Sequence, residues 1–214
     1  MRGDRMTAGF FRNRFYTPSA AAAILGVSRR TVARYMKDGS LPVQYILPRR
    51  PRIYGAYLAQ TAGLALEKVP AAGWDEGGLY CNAVYSIKRA AAVLSVSARS
   101  VVRLLHDALA SFSVGRARRV YGASLARLAG LPLDSDIVPP ALPPQGWYAN
   151  ILYSYTGTAK LLSVGREVVR RLAAENPQLL LRPTPDVPRL YGLDLAEVLG
   201  VPGHILPVWK GERG

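Results

Sequence analysis

The chain repeats itself, and the repeat limits what it can fold into. Tyr16-Thr17, Tyr85-Ser86 and Tyr153-Ser154 stand 69 and 68 residues apart, and the stretches after the three pairs match one another. Val27, Val96 and Val164 follow their tyrosines at one distance, and Arg34, Arg103 and Arg171 follow at another. Farther on come Arg52-Ile53-Tyr54-Gly55, Arg119-Val120-Tyr121-Gly122 and Arg189-Leu190-Tyr191-Gly192. Each runs into Leu-Ala, at Leu58-Ala59, Leu125-Ala126 and Leu195-Ala196, and each copy is followed by a Pro-containing connector with a tryptophan (Trp74, Trp147, Trp209). Such a period implies one supersecondary unit made three times.

Inside each copy the signals are those of two short helices joined by a tight turn. Thr17, Ser86 and Ser154 suit the N-cap of a first helix, and Pro18 suits its first turn. Ala22, Ala91 and Ala159 leave room for a second helix to cross closely. That helix is expected to start at Ser28, Ser97 or Gly165. Its apolar stripe is Val32, Tyr35 and Met36, repeated as Val101, Leu104 and Leu105 and as Val169, Leu172 and Ala173. Arg30, Arg34 and Lys37 fall on the opposite face. Gly39 permits a left-handed stop. Two short β-prone runs around Pro48-Arg49-Arg50-Pro51 then predict a hairpin, with counterparts around Gly115 to Arg119 and Arg182 to Asp186. Helix, turn, basic helix and an arginine-tipped hairpin form the pattern of a winged helix-turn-helix.

These residues resemble the excisionase and MerR-like winged helix-turn-helix families. The shared pattern is Tyr-Ser/Thr, an Ala-rich helix, Gly/Ser-Val-Ser, Arg-Thr/Ser-Val, Arg, then a wing ending in Arg-apolar-Tyr and a Leu-Ala helix. The stretch from Ser19 to Pro42 carries it most fully. The resemblance implies major-groove binding by the second helix through Arg29, Arg30 and Arg34 in the first copy and Arg99 and Arg103 in the second. It implies backbone binding by the wing. The families have one such domain per chain, whereas three are fused here. A MerR-type dimerisation helix and effector domain are missing from the pattern. The expected fold is therefore mainly α with small β-hairpin wings, as three tandem winged helix-turn-helix units. The expected division is a basic arm (1–14), a first unit (15–64), a linker (65–79), a second unit (80–131), a Pro-rich linker (132–147), a third unit (148–201) and a tail (202–214).

The charge agrees with a polyanionic partner. Lys plus Arg number 28 against 14 acidic residues, a net charge of +14. The candidate DNA contacts on the second helices are Arg29, Arg30, Thr31, Arg34 and Lys37, then Arg99, Ser100 and Arg103, then Arg166, Arg170 and Arg171. On the wings they are Arg49, Arg50 and Arg52, then Arg116, Arg118 and Arg119, then Arg182 and Arg189. The copies are unequal. The third also carries Glu167, Glu175, Asp186, Asp194 and Glu197, and Glu167 stands where Arg30 and Arg99 stand. The first two copies are expected to supply most of the affinity, with the third unit or the tail contacting protein or a second copy. The Pro-rich stretch 138–144 is expected to act as a stiff spacer.

Catalysis is not expected. The histidines are His106 and His204, no nucleotide-binding glycine loop or paired carboxylate motif occurs, and no metal or cofactor is called for. The tyrosines recur at repeat-equivalent positions, which argues against a recombinase nucleophile. The one cysteine, Cys81, makes no internal disulfide. The N-terminus lacks a signal-peptide core and no run reaches membrane length, so a cytoplasmic, nucleoid-associated protein is expected. The partner is double-stranded DNA, read as direct repeats about 10 base pairs apart. Three roles are open: transcriptional regulator, excisionase-like architectural or recombination directionality factor, and plasmid or phage centromere- or origin-binding protein. An RNA-binding or protein-scaffold module is the reading from a different class.

Overall fold

The computed structural model describes residues 10–72, 77–143, 145–184 and 187–210, with side chains at 182–184 and 187 outside the description. Trp74, the side chain of Arg182 and most of the basic arm therefore lie outside it. One order of elements, strand-helix-helix-strand-strand-helix, occurs three times along the chain. The first segment contains β1 (Phe15–Tyr16), α1 (Pro18–Leu25), α2 (Arg29–Lys37), β2 (Gln44–Leu47), β3 (Arg50–Tyr54) and α3 (Gly55–Thr61). The second contains β4 (Val84–Ser86), α4 (Ile87–Val93), α5 (Ala98–Asp107), β5 (Phe112–Val114), β6 (Ala117–Tyr121) and α6 (Gly122–Leu128). The third contains β7 (Leu152–Tyr153), α7 (Tyr155–Leu161), α8 (Arg166–Glu175), β8 (Leu180–Thr184), β9 (Val187–Tyr191) and α9 (Gly192–Val198).

The expectation of a mainly α fold is corrected to mixed α/β with a helix-turn-helix. Each hairpin gains a third strand, in the orders β1-β3-β2, β4-β6-β5 and β7-β9-β8. That strand is the lead-in to the first helix and contains the repeated tyrosine, with Tyr16 opposite Ile53, Tyr85 opposite Val120 and Tyr153 opposite Leu190. A strand of two or three residues is too short to show alternation in sequence.

Local chemistry explains the helices. The hydroxyls of Thr17, Ser86 and Ser154 accept from the backbone N–H of Ala20, Arg89 and Gly157 at 3.2, 3.3 and 3.0 Å. At the other end of each first helix the chain turns left-handed, at Gly26 (φ 65°), Ser95 (φ 53°) and Ser163 (φ 52°). That turn lets the N–H of Val27, Val96 and Val164 reach back to the carbonyls of Ala22, Ala91 and Ala159 at 3.0, 2.9 and 3.0 Å. It sets the angle at which the second helix leaves. Val32, Val101 and Val169 on that helix are fully buried, while Tyr35, Leu104 and Leu172 are partly so.

The repeated tyrosine is structural. The hydroxyls of Tyr16, Tyr85 and Tyr153 each accept from a backbone N–H five residues upstream, on Phe11, Tyr80 and Tyr148, at 2.8 Å in all three. Burial pushes all three phenols up, Tyr153 to about 12. Each hydroxyl also donates to a backbone carbonyl, of Phe11, Gly78 and Gly146, at 3.3, 3.1 and 3.0 Å.

The connectors are packed straps, so the stretch expected as a stiff spacer between units, 138–144, is itself held against the fold. Val69, Ala72, Val138 and Ala141 are buried. Each strap is fastened by an asparagine 59 residues upstream. Asn13 Oδ1 accepts from Ala72 N at 2.6 Å, Asn82 Oδ1 from Ala141 N at 2.6 Å and Asn150 Oδ1 from Trp209 N at 2.7 Å. Trp209 thus occupies the place of Ala72 and Ala141. Trp147 instead takes the place of Leu79, so these two tryptophans are not equivalent. Trp147 packs on Phe112 and Tyr121 behind it and donates to Gly192 O ahead of it at 2.9 Å.

The segments share cores. Phe15, Ile46, Tyr54 and Ala56 pack into one apolar cluster with Val93 and Leu94 of the following segment. Val84, Val114, Tyr121 and Ala123 do the same with Trp147, Leu161 and Leu162. One core position departs from the pattern. Thr158 is fully buried where Ala21 and Ala90 sit, and its hydroxyl has no partner among the described residues. A buried hydroxyl left unpaired costs about 1–3 kcal/mol, and valine has the same shape without it. Thr158→Val should raise the free energy of unfolding by about 1 kcal/mol, as read by urea titration. A loss of stability would mean that the hydroxyl is satisfied in solution.

Candidate nucleic-acid interface

The second helices face outward with their cations. On α2, capped by Ser28, Arg29, Arg30, Arg34 and Lys37 are all exposed, and Arg34 lies 5.5 Å from the ring of Tyr35. On α5, Arg99 and Arg103 are exposed beside Val102. On α8, Arg166, Arg170 and Arg171 are exposed, but Arg170 is paired with Glu167 at 2.6 Å. Among the described residues the ion pair on these three helices is Arg170–Glu167, so the third helix holds one of its cations on a neighbouring carboxylate.

Two residues expected among the contacts are engaged in capping. Ser100 is buried, and its hydroxyl lies 2.8 Å from that of Ser97. Thr31 is half-buried, with its hydroxyl 3.0 Å from that of Ser28 in an exposed bond. Each closes the N-terminal turn of its helix. The reason is spacing: the third residue of a capped helix lies directly over the cap.

The hairpin tips hold Arg49 (φ 60°) and Arg50 in the first segment and Arg116 and Arg118 in the second, all exposed. Arg118 donates to Ser111 Oγ at 3.2 Å. Each tip lies beside the second helix of the next segment. A groove of about 460 Å³ is lined by Pro48 and Arg50 on one side and Ser97, Arg103 and Asp107 on the other. A second, of about 440 Å³, lies between Gly115 and Arg116 and the α8 residues Val168, Arg171 and Glu175. The basic surface is therefore composite: a hairpin of one segment and a helix of the following one.

Arg52 and Arg119, expected with the wing contacts, are placed elsewhere. Arg52 sends Nε to Ser95 O at 3.1 Å and a second donor, Nη2, to the same carbonyl. Arg119 sends Nε to Leu162 O at 2.6 Å and Nη2 to Ser163 O. Both grip the left-handed turn of the next segment, and burial draws both guanidinium pKa values down. They are joints between segments. Arg189, their counterpart, donates to Pro188 O at 3.1 Å.

The strap asparagines escaped sequence reading although they carried a signal. Asn13, Asn82 and Asn150 keep the repeat spacing and stand three residues before each repeated tyrosine. Among the described residues no His, Cys, Asp and Glu cluster could hold a metal, and no helix is long and apolar enough to cross a membrane. No curated protein and no solved structure matches the chain. A family model does: residues 15–58, from the repeated tyrosine's strand into α3, match the helix-turn-helix domain and make that stretch similar to one DNA-binding unit of that kind.

Proposed function

We propose that the chain is a non-catalytic double-stranded DNA-binding protein that engages DNA through three side-by-side winged helix-turn-helix units. The units are 15–64, 80–131 and 148–201, with α2, α5 and α8 as reading helices and the hairpin tips on adjacent phosphates. The observation that carries this reading is the exposed cation stripe on α2 and α5, with Arg50 beside Arg103 across one groove. The best-supported role is a cytoplasmic, nucleoid-associated transcriptional regulator reading direct repeats. An architectural, DNA-bending role is the second reading. It is favoured by the shared cores, which hold one segment fixed against the next and would impose that geometry on the duplex.

Substitutions on the three reading helices should then fall in a definite order. Arg34→Ala and Arg103→Ala should each weaken binding to a selected site about tenfold, the loss of one to two charge-assisted contacts. Arg171→Ala should weaken it by less than about threefold, since its helix also carries Glu167 and Glu175. Affinity should fall about 10³-fold or more between 50 and 200 mM salt if six or more phosphates are neutralised. Selection of bound sequences from random duplex DNA, with footprinting and titration of the three variants, tests all of this. Equal losses in the three variants would overturn the ranking. A flat salt dependence, or preference for duplex RNA, would overturn DNA as the partner.

A further inference from the structure

The same joint is built twice inside the chain. On the giving side stand an arginine and apolar residues of strand and helix: Arg52 with Phe15, Tyr54 and Ala56, then Arg119 with Val84, Tyr121 and Ala123. On the receiving side stand the left-handed turn and the end of the first helix: Val93, Leu94 and Ser95, then Leu161, Leu162 and Ser163. In both joints the apolar residues are essentially inaccessible, from 0 to 5% exposed.

Among the described residues, both halves recur with nothing from another segment on them. The giving half of the third segment is Arg189 with Leu152, Tyr191 and Leu193. Leu152 is 44% and Leu193 41% exposed, where the equivalent Phe15, Val84, Ala56 and Ala123 are buried. The receiving half of the first segment is Ile24, Leu25 and Gly26. Ile24 and Leu25 are half-buried, and Ala62 is exposed where Ala129 and Leu199 are buried. In place of a packed joint the first segment has an open apolar pocket of about 360 Å³, lined by Ile24, Leu25, Val27, Ala62 and Leu64. The equivalents of these five all lie in the shared clusters of the second and third segments. Gly26 keeps the left-handed backbone (φ 65°) that turns a carbonyl toward the arginine in the other two joints.

We propose that the third segment of one chain docks on the first segment of a second copy, repeating the internal joint. Arg189 would take the carbonyls of Leu25 and Gly26, and Leu152 and Leu193 would cover Ile24 and the pocket. The partner is a second copy because the chain already contains this surface pair, twice, in contact with itself. Such an interface is heterologous: each copy offers one giving and one receiving face, so association extends head to tail. It also sets the hairpin of the third segment beside α2, the reading helix that lacks a neighbouring hairpin within its own chain. Docking of this kind does not depend on DNA binding and is tested without DNA.

The experiment is sedimentation of the full chain from micromolar to about 1 mM, the effective concentration that a short tether supplies within the chain. The wild type should rise from its 23.2 kDa monomer mass through dimers to longer species as concentration increases. Leu193→Glu blocks the giving face, and Ala62→Glu blocks the receiving face; both positions are exposed, so the fold is retained. Each variant alone should stay monomeric, while their equimolar mixture should form dimers and stop there, joined by the one intact pair of faces. A wild type that is monomeric throughout overturns the proposal. So does a wild type whose association survives both substitutions, or a mixture that forms no dimer when the wild type associates.

Discussion

Gly122→Ala is expected to lower the free energy of unfolding by about 3 kcal/mol or more, a large effect for one methyl group. Gly122 opens α6 directly after the Arg-Val-Tyr of its hairpin, and its N–H donates to Ala83 O at 2.8 Å. A Cβ there would overlap the carbonyl oxygen of Tyr80 and come within 3.1 Å of that of Cys81. Both obstacles are backbone, so neither can step aside as a side chain would. The strand that holds Tyr85 and the helix that holds Leu125 would have to separate. Gly55 and Gly192 meet the same obstacle, from Phe11 O and Tyr148 O, which explains why glycine closes the Arg-apolar-Tyr-Gly motif in every copy. Gly130 is the control. It has φ +66° with open space around it, so Gly130→Ala carries only the left-handed backbone penalty, about 1 kcal/mol. Urea titration of the two variants separates close approach from conformational freedom. Equal losses would remove the close-approach explanation.

How far the fold could be read from sequence depended on whether a feature was local. The caps at Thr17, Ser86 and Ser154, the stripe through Val32, Val101 and Val169 and the exposed arginines of α2 and α5 follow from neighbours three or four residues away, and periodicity exposes them. The lead-in strands did not show, because Phe15–Tyr16 and Leu152–Tyr153 are too short to alternate. The straps were hidden by their prolines, which look like a spacer. Yet Val69, Val138 and Leu206 keep the spacing of the repeat and are all buried, a sign that the unit continues through them. Arg52 and Arg119 could not be told from their neighbours by residue type. Arg50 and Arg52 are two residues apart on one strand, and only the partner 43 residues downstream distinguishes a surface cation from a joint.

Arg119→Ala should therefore act on the whole array and not on DNA contact. Its guanidinium bridges Leu162 O and Ser163 O, and it is one of few charged side chains buried among the described residues. Removing it takes the charged donor away from two carbonyls of the third segment, at a joint whose apolar residues include Trp147 and Tyr121. Hydrogen bonds to charged groups contribute about 1.5–3 kcal/mol each, so a loss of about 3 kcal/mol is expected. Lysine should not restore it, because one ammonium cannot span two carbonyls in the fixed geometry of the guanidinium fork. Arg189→Ala, at the same place in the third segment but bonded only to Pro188 O among its described contacts, should change monomer stability by less than about 0.5 kcal/mol. The cooperativity of unfolding gives a second reading. In a row of units coupled through nearest-neighbour joints, weakening one joint lets the units on either side melt separately. The wild type should unfold in one transition with fluorescence and far-ultraviolet circular dichroism coincident. In Arg119→Ala, the fluorescence of Trp147, which sits in that joint, should change at lower urea than the helix signal. A single coincident transition with unchanged midpoint would show that apolar packing alone couples the segments and that the arginine is dispensable to the joint.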